Sequence, residues 1–190
     1  RRSEMMNWLG IEFKAVPSNF DEKSIRDADP TKLTQKLAKA KAMSVAKDFQ
    51  NNIIIGSDLV VAFEGKILEK VDSESDQRDL IVLQRGKVGE IFTSVYVINT
   101  ATNQEVCKTV CVPYLMANVT DDQIEKYIKS GEGIGKAGGF GFQDFGGIFL
   151  ESMNGCYTSV LGMPMCEVSN ILQNMGVPIT VDIKQVVRKD

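Results

Sequence analysis

Apolar residues Ala38, Ala42, Val45 and Phe49 recur at spacings of four, three and four, the period of one face of a helix. Asp29 followed by Pro30 supplies an N-cap and a proline for the first turn, so the pattern predicts a helix over residues 30–48. Residues 53–55 are all isoleucine, as in a strand covered on both faces. Gly56 closes that run, and Ser57 and Asp58 follow at its end. Residues 60–63, the turn Glu64-Gly65 and residues 66–68 then predict a hairpin.

The same reading extends in both directions. Residues 1–9 form the tail of a helix closed by Gly10, and residues 11–16 alternate as a strand before Pro17. Residues 73–85 predict a helix closed by Gly86. Two β-branched stretches, 88–99 and 105–115, flank a polar turn at 100–103 and predict an antiparallel pair. Thr120 with Gln123 three positions on is a capping box, opening a helix that ends at Ser130-Gly131. A strand over 148–150, a turn at Asn154-Gly155, a helix from Pro164 to near Gly176 and a last strand over 178–183 complete the chain. The expected class is α/β with a mixed sheet, in one domain or one elongated domain of two lobes.

Composition narrows what such a fold does. With 190 residues, 43% hydrophobic, 25% charged and five prolines, the chain can bury a core without disulfide staples. A net charge of -3 and a pI near 5.2 exclude a protein that coats nucleic acid, and leave room for a basic pocket holding one phosphorylated small molecule. No stretch reaches the roughly 20 apolar residues of a membrane span and no signal peptide opens the chain, so the expected location is the cytoplasm. Cys107, Cys111, Cys156 and Cys166 form no CxxC pair, and they read as buried free thiols of a reducing compartment. The chain has no histidine, which leaves carboxylates, lysine or a metal ion for any hydrolysis.

Several positions could carry such chemistry. Residues 136–147 hold five of the sixteen glycines beside Lys136 and Gln143, a backbone that can approach a ligand closely; a set of tight turns is the other reading. The lysine precedes the glycines, so this is not a Walker A element. Asp58, at the end of an expected strand, can bind Mg²⁺, activate water or cap the next turn. Glu22 lies in an acidic turn. Lys41 borders the apolar stripe of its helix, so its ammonium either snorkels to solvent or meets an anion. Lys70 follows the expected hairpin and also reads as a surface lysine.

Taken in order, Phe20-Asp21-Glu22, Leu37-Ala38-Lys39-Ala40-Lys41-Ala42, Ile55-Gly56-Ser57-Asp58, Leu68-Glu69-Lys70, Phe92-Thr93, Lys136-Ala137-Gly138-Gly139-Phe140-Gly141-Phe142-Gln143 and Tyr157-Thr158-Ser159-Val160-Leu161-Gly162-Met163-Pro164 resemble the Maf family of nucleoside triphosphate pyrophosphatases. The resemblance runs from Arg1 to about residue 180. It implies an elongated, two-lobed inosine-triphosphatase-like fold with a central cleft. It also implies Mg²⁺- or Mn²⁺-assisted hydrolysis of the α,β-phosphoanhydride, and a homodimer. The form of the glycine-rich loop resembles the branch acting on dTTP and UTP, which makes dTTP, UTP or a modified pyrimidine nucleotide the expected substrate.

Carried over by position, the resemblance makes Asp58, Glu22, Lys41 and Lys70 catalytic and Glu22 and Asp58 the metal ligands. Arg1, Arg2, Lys136, Gln143 and Thr93 become substrate-binding. Arg1 and Arg2 match the end of the family's Ser-x-Ser-x-Arg-Arg phosphate loop, so a serine loop and a first strand are expected upstream of Arg1. Leu59, Gly89 and Val71 stand where the family usually has Thr, His and Pro. Those departures motivate the alternative of a catalytically weakened nucleotide-binding or regulatory protein.

Overall fold

A computed structural model describes residues 1–183. Six α-helices and five strands are described: α1 (Arg2–Asn7), α2 (Pro30–Ala46), β1 (Ile53–Phe63), β2 (Lys66–Leu68), α3 (Glu74–Gln84), β3 (Val88–Asn99), β4 (Gln104–Met116), α4 (Asp121–Lys129), β5 (Leu150–Met153), α5 (Tyr157–Val160) and α6 (Met165–Asn174). The strands form one sheet in the order β2-β1-β3-β4-β5. Pairs β1/β2 and β4/β5 are antiparallel, and the four-residue link from β3 to its neighbour β4 allows no parallel crossover. The sheet is antiparallel, not mixed as the sequence suggested.

The described chain divides into two compact units, residues 1–59, 93–110 and 156–183 in the first and residues 60–92 and 111–155 in the second. In the first, the two-residue period of β3 separates two cores. Tyr96 and Ile98 pack with Ala38, Ala42 and Ala46 of α2 and with Ile54, while Val95 and Val97 pack with α1, α6 and the buried Ile179 and Ile183. Both faces are covered here, and residues 95–98 are accordingly Val-Tyr-Val-Ile without a charged side chain. Asp29 caps α2 by accepting from the Thr31 and Lys32 N–H groups at 2.8 and 3.2 Å.

α2 and β1 approach closely in this unit. A Cβ on Gly56 would lie 2.3 Å from the Ala38 carbonyl oxygen and 2.7 Å from the Ala42 nitrogen, so only glycine lets the two backbones meet here. Gly56 therefore does not end a strand. β1 runs unbroken from Ile53 to Phe63, merging the two runs that the sequence separated.

In the second unit, Ser73 caps α3, and the expected capping box of Thr120 and Gln123 opens α4. Arg78 of α3 holds Glu125 of α4 through two bonds of 2.6 and 2.8 Å. Tyr114, Tyr127, Phe140, Phe142 and Phe149 form an aromatic cluster with centroid separations of 4.8–6.1 Å.

Two expected strands are absent and a third is displaced. Residues 11–16 are irregular and mostly exposed, and no strand pairs with them among the described residues. Ile148 and Phe149 end a 3₁₀ turn over Asp144–Phe149, because Phe149 packs into the aromatic cluster, and β5 starts at Leu150. Residues 178–183 form no strand, because no strand of the sheet pairs with them among the described residues, although Ile179 and Ile183 reach the core. The cysteines are free but not buried: Cys107 and Cys111 are exposed, Cys156 and Cys166 half-buried.

Replacing Gly56 by alanine pushes a methyl into the α2 backbone, which cannot swing aside. The variant is expected to lose about 1–3 kcal/mol of stability, read from its urea unfolding midpoint at unchanged m-value.

Candidate active site

Gly56 and Asp58 are two apart on β1 and so share the face that α2 covers. With Ala38 and Ala42 seated on Gly56, Lys41 is carried to Asp58. Its Nζ stands 2.5 Å from Asp58 Oδ1 and 2.8 Å from Glu22 Oε1, and the lysine side chain is 13% exposed. The ammonium meets anions rather than snorkelling. Asp58 lies in mid-strand, not at a strand end, and is 6% exposed. Glu22 opens a 3₁₀ turn, Glu22–Ser24, whose N-cap is Asp21; the Asp21 carboxylate accepts the Lys23 N–H at 3.0 Å. Of that acidic pair, one carboxylate builds the turn and the other reaches Lys41.

The opposite face of β1 fixes an arginine. Ser57 donates from Oγ to the carbonyls of Ser94 and Gly162, each at 2.8 Å, and Arg2 Nε donates to the same Gly162 oxygen at 3.0 Å. Arg1 stands exposed at the N-cap position of α1. Thr93 is fully buried, and its hydroxyl donates to the Ser159 carbonyl at 2.8 Å. A cavity of about 660 Å³ is lined by Arg2, Lys14, Lys41, Ser57 and apolar residues of β1, a size usual for small-molecule sites. A second cavity of about 250 Å³, against α6 and residues 179–183, has no cationic side chain on its wall among the described residues.

Burial pushes the Asp58 carboxyl above its ordinary value of 3.8; Lys41, by charge and hydrogen bond, and Arg2 oppose the shift, while Glu22 adds to it. Crowding by protein atoms lowers the Arg2 guanidinium from its ordinary value, against the pull of Asp58 and Glu22, and an arginine so placed keeps its charge. The arrangement is a buried base, a cation that opposes the rise in its proton affinity and a second carboxylate on the same ammonium. Among the described residues, no three or more His, Cys, Asp or Glu side chains gather as metal ligands. Two carboxylates drawn to one point, with phosphate oxygens and water for the remaining positions, are nonetheless the donor set a Mg²⁺-like cation takes.

Lys70, Lys136 and Gln143 belong to the second unit. Exposed Lys70 forms a backbone bridge with Ala137, and the Gly135 and Gly138 N–H groups donate to the Val71 and Glu69 carbonyls, which ties the glycine-rich segment to the chain after β2. Glu132, unremarked in the sequence, is the hub of the segment. It takes Lys136 Nζ at 3.1 Å and the Phe145 and Gly146 N–H groups at 3.1 and 3.2 Å. Burial raises the Glu132 carboxyl, but Lys136 and these N–H groups together hold it below its ordinary value. Its i,i+4 spacing to Lys136 was the available signal. With these N–H groups committed internally, the segment is no open phosphate cradle; Gln143 is half-buried beside it. Of the three departures, Val71 is core at 2% exposure, Leu59 is half-buried and Gly89 lies against the Tyr114 ring.

Comparison with known proteins bears on these features together. The model of the Maf family, described as Maf-like protein, matches residues 1–175. The dTTP/UTP pyrophosphatase of Clostridium novyi (strain NT) is 36% identical over 179 residues, covering 93% of this chain and 94% of the relative. Proteins of the same description from Clostridium botulinum (strain Kyoto / Type A2) and Clostridium tetani (strain Massachusetts / E88) are 35% identical over 181 residues and 32% over 180, covering 93% of this chain and 93% and 94% of those relatives.

The metal-free protein is expected to show Asp58 titrating above 3.8 by carboxyl-carbon NMR. Because Lys41 lowers that value and Glu22 raises it, Lys41→Met should move the titration to higher pH and Glu22→Gln to lower pH.

Proposed function

The chain belongs to the Maf family, and on that premise we propose that it hydrolyses the α,β-phosphoanhydride of dTTP, UTP or a modified pyrimidine triphosphate, yielding nucleoside monophosphate and pyrophosphate. The observation that carries the proposal is Lys41 held between Asp58 and Glu22. Asp58 takes the proton of the attacking water. Its raised affinity for that proton makes it a better base than an exposed aspartate, and Lys41 favours its ionised form by opposing that rise. Arg2, fixed through its Nε by the Gly162 carbonyl, presents the rest of its guanidinium to phosphate oxygens, with Arg1 adjacent in the chain.

Glu22 and Asp58 are the residues that would hold Mg²⁺ or Mn²⁺, which when bound neutralises charge on the triphosphate. Arg2, Lys14 and Lys41 outnumber the carboxylate of Glu12 on the cavity wall, which supports an anionic ligand in a chain whose overall charge is negative. In the second unit, Lys70 and Lys136 act on the substrate and Gln143 selects the base. The buried Thr93 hydroxyl acts through the backbone, by holding the Ser159 carbonyl.

A pyrophosphate-release assay with Mg²⁺ and a panel of triphosphates tests this. Turnover of dTTP or UTP above purine triphosphates is expected, with kcat falling about 10²–10⁴-fold in Asp58→Asn. Full activity in both Asp58→Asn and Glu22→Gln would sink the assigned chemistry.

A further inference from the structure

Gln77 and Gln84 are seven residues apart on α3, two helical turns, and so lie on one face. Both are wholly buried, which is unusual for glutamine. Gln84 satisfies every polar atom: Nε2 donates to the Leu80 carbonyl at 2.7 Å and the Gly138 carbonyl at 2.9 Å, and Oε1 accepts the Tyr114 hydroxyl at 2.5 Å. Gln77 Nε2 donates to the next carbonyl, Gly139, at 3.0 Å, while its Oε1 has no hydrogen-bond partner among the described residues. An amide kept in a core with its oxygen unpaired is costly, so packing alone does not account for Gln77. Turning the amide over would set oxygen against the Gly139 oxygen, which fixes its orientation.

Two further glycines serve the same contacts. Neither Gly89 nor Gly133 has a positive φ, so backbone conformation does not require them. Space does. A Cβ on Gly89 would lie 2.4 Å from the Tyr114 Cζ and Oη, and one on Gly133 would lie 2.1 Å from Gln77 Nε2 and 2.3 Å from the Gly139 oxygen. The gripped residues, Gly138 and Gly139, have φ of 73° and 82°, a consecutive left-handed pair that few side chains tolerate and that turns both carbonyls toward α3. Burial pushes the Tyr114 phenol up, so it remains a donor at neutral pH.

We propose that Gln77, Gln84 and Tyr114 are positioning residues for substrate selection, a latch on the Gly138-Gly139 carbonyls that sets where Lys136 and Gln143 stand. Gly89 is then the vacancy that Tyr114 fills rather than a missing catalytic group. The inference rests on the reading above in which Gln143 selects the base.

The test uses the full chain and the variants Tyr114→Phe, Gln84→Met, Gln77→Met and Gln143→Ala. Tyr114→Phe keeps the ring contacts to Phe140 and Phe142, and so keeps the variant set informative if a glutamine change fails to fold. Amide exchange at Gly138 and Gly139 is expected to rise about fivefold to tenfold in the latch variants without a matching change in global unfolding. KM for dTTP or UTP should rise about tenfold, with kcat within about twofold, in these variants and in Gln143→Ala. Unchanged exchange in Tyr114→Phe and Gln84→Met overturns the latch whatever the kinetics. Faster exchange with unchanged KM, while Gln143→Ala raises KM, overturns its role in selection and leaves the reading of Gln143 standing. An unchanged KM in all four variants overturns that reading and the latch with it.

Discussion

Everything chemical in the first unit depends on one ammonium being taken out of water. Lys41 is 13% exposed, and a buried ammonium persists only where anions replace its hydration. Asp58 and Glu22 supply them at 2.5 and 2.8 Å. The pairing is made possible by a contact that carries no charge, the seat of Ala38 and Ala42 on Gly56. That contact sets the height of α2 over β1, and the alternation of the strand then presents Asp58 on the same face. The result is an aspartate that holds its proton more tightly than usual beside a lysine that takes part of that effect away. Stability and reactivity are therefore not separable at this point. The packing that builds the core also tunes the base.

The second unit solves a different problem, how to hold a glycine-rich segment in one shape. Its answer is polar: one carboxylate, Glu132, gathers a lysine and two backbone N–H groups, while two core glutamines reach the carbonyls of Gly138 and Gly139. The aromatic cluster of Tyr114, Tyr127, Phe140, Phe142 and Phe149 supplies the apolar support. A segment committed in this way has little backbone left to wrap a phosphate. It can instead place a side chain such as Gln143 accurately, because few alternative arrangements satisfy so many buried polar groups.

Features that depend only on neighbours in the chain were legible in the sequence. Asp29 and Thr120 cap α2 and α4 because a cap is a contact with the next two or three N–H groups. The period of α2 and the two long β-branched stretches at β3 and β4 were equally plain. The failures were relational. Residues 11–16 alternate, yet alternation makes no strand without a partner to take its N–H and C=O groups. Gly56-Ser57-Asp58 looked like the end of a strand because glycine and small polar residues usually stop one. All three continue β1, since α2, the Ser94 and Gly162 carbonyls, and Lys41 each answer one of them.

Sequence by itself determined the helices with their caps, the absence of imidazole chemistry and, through the ordered motifs, the family and the roster of charged residues. Tertiary structure alone decided which of those residues meet. Lys41 and Asp58 are 17 positions apart and Arg2 and Gly162 are 160 apart, separations at which no local pattern carries information. It also decided why Gly56, Gly89 and Gly133 lack side chains. The reason is the same in each case: a glycine's cause is the atom that occupies the space where its Cβ would be, and that atom comes from elsewhere in the chain.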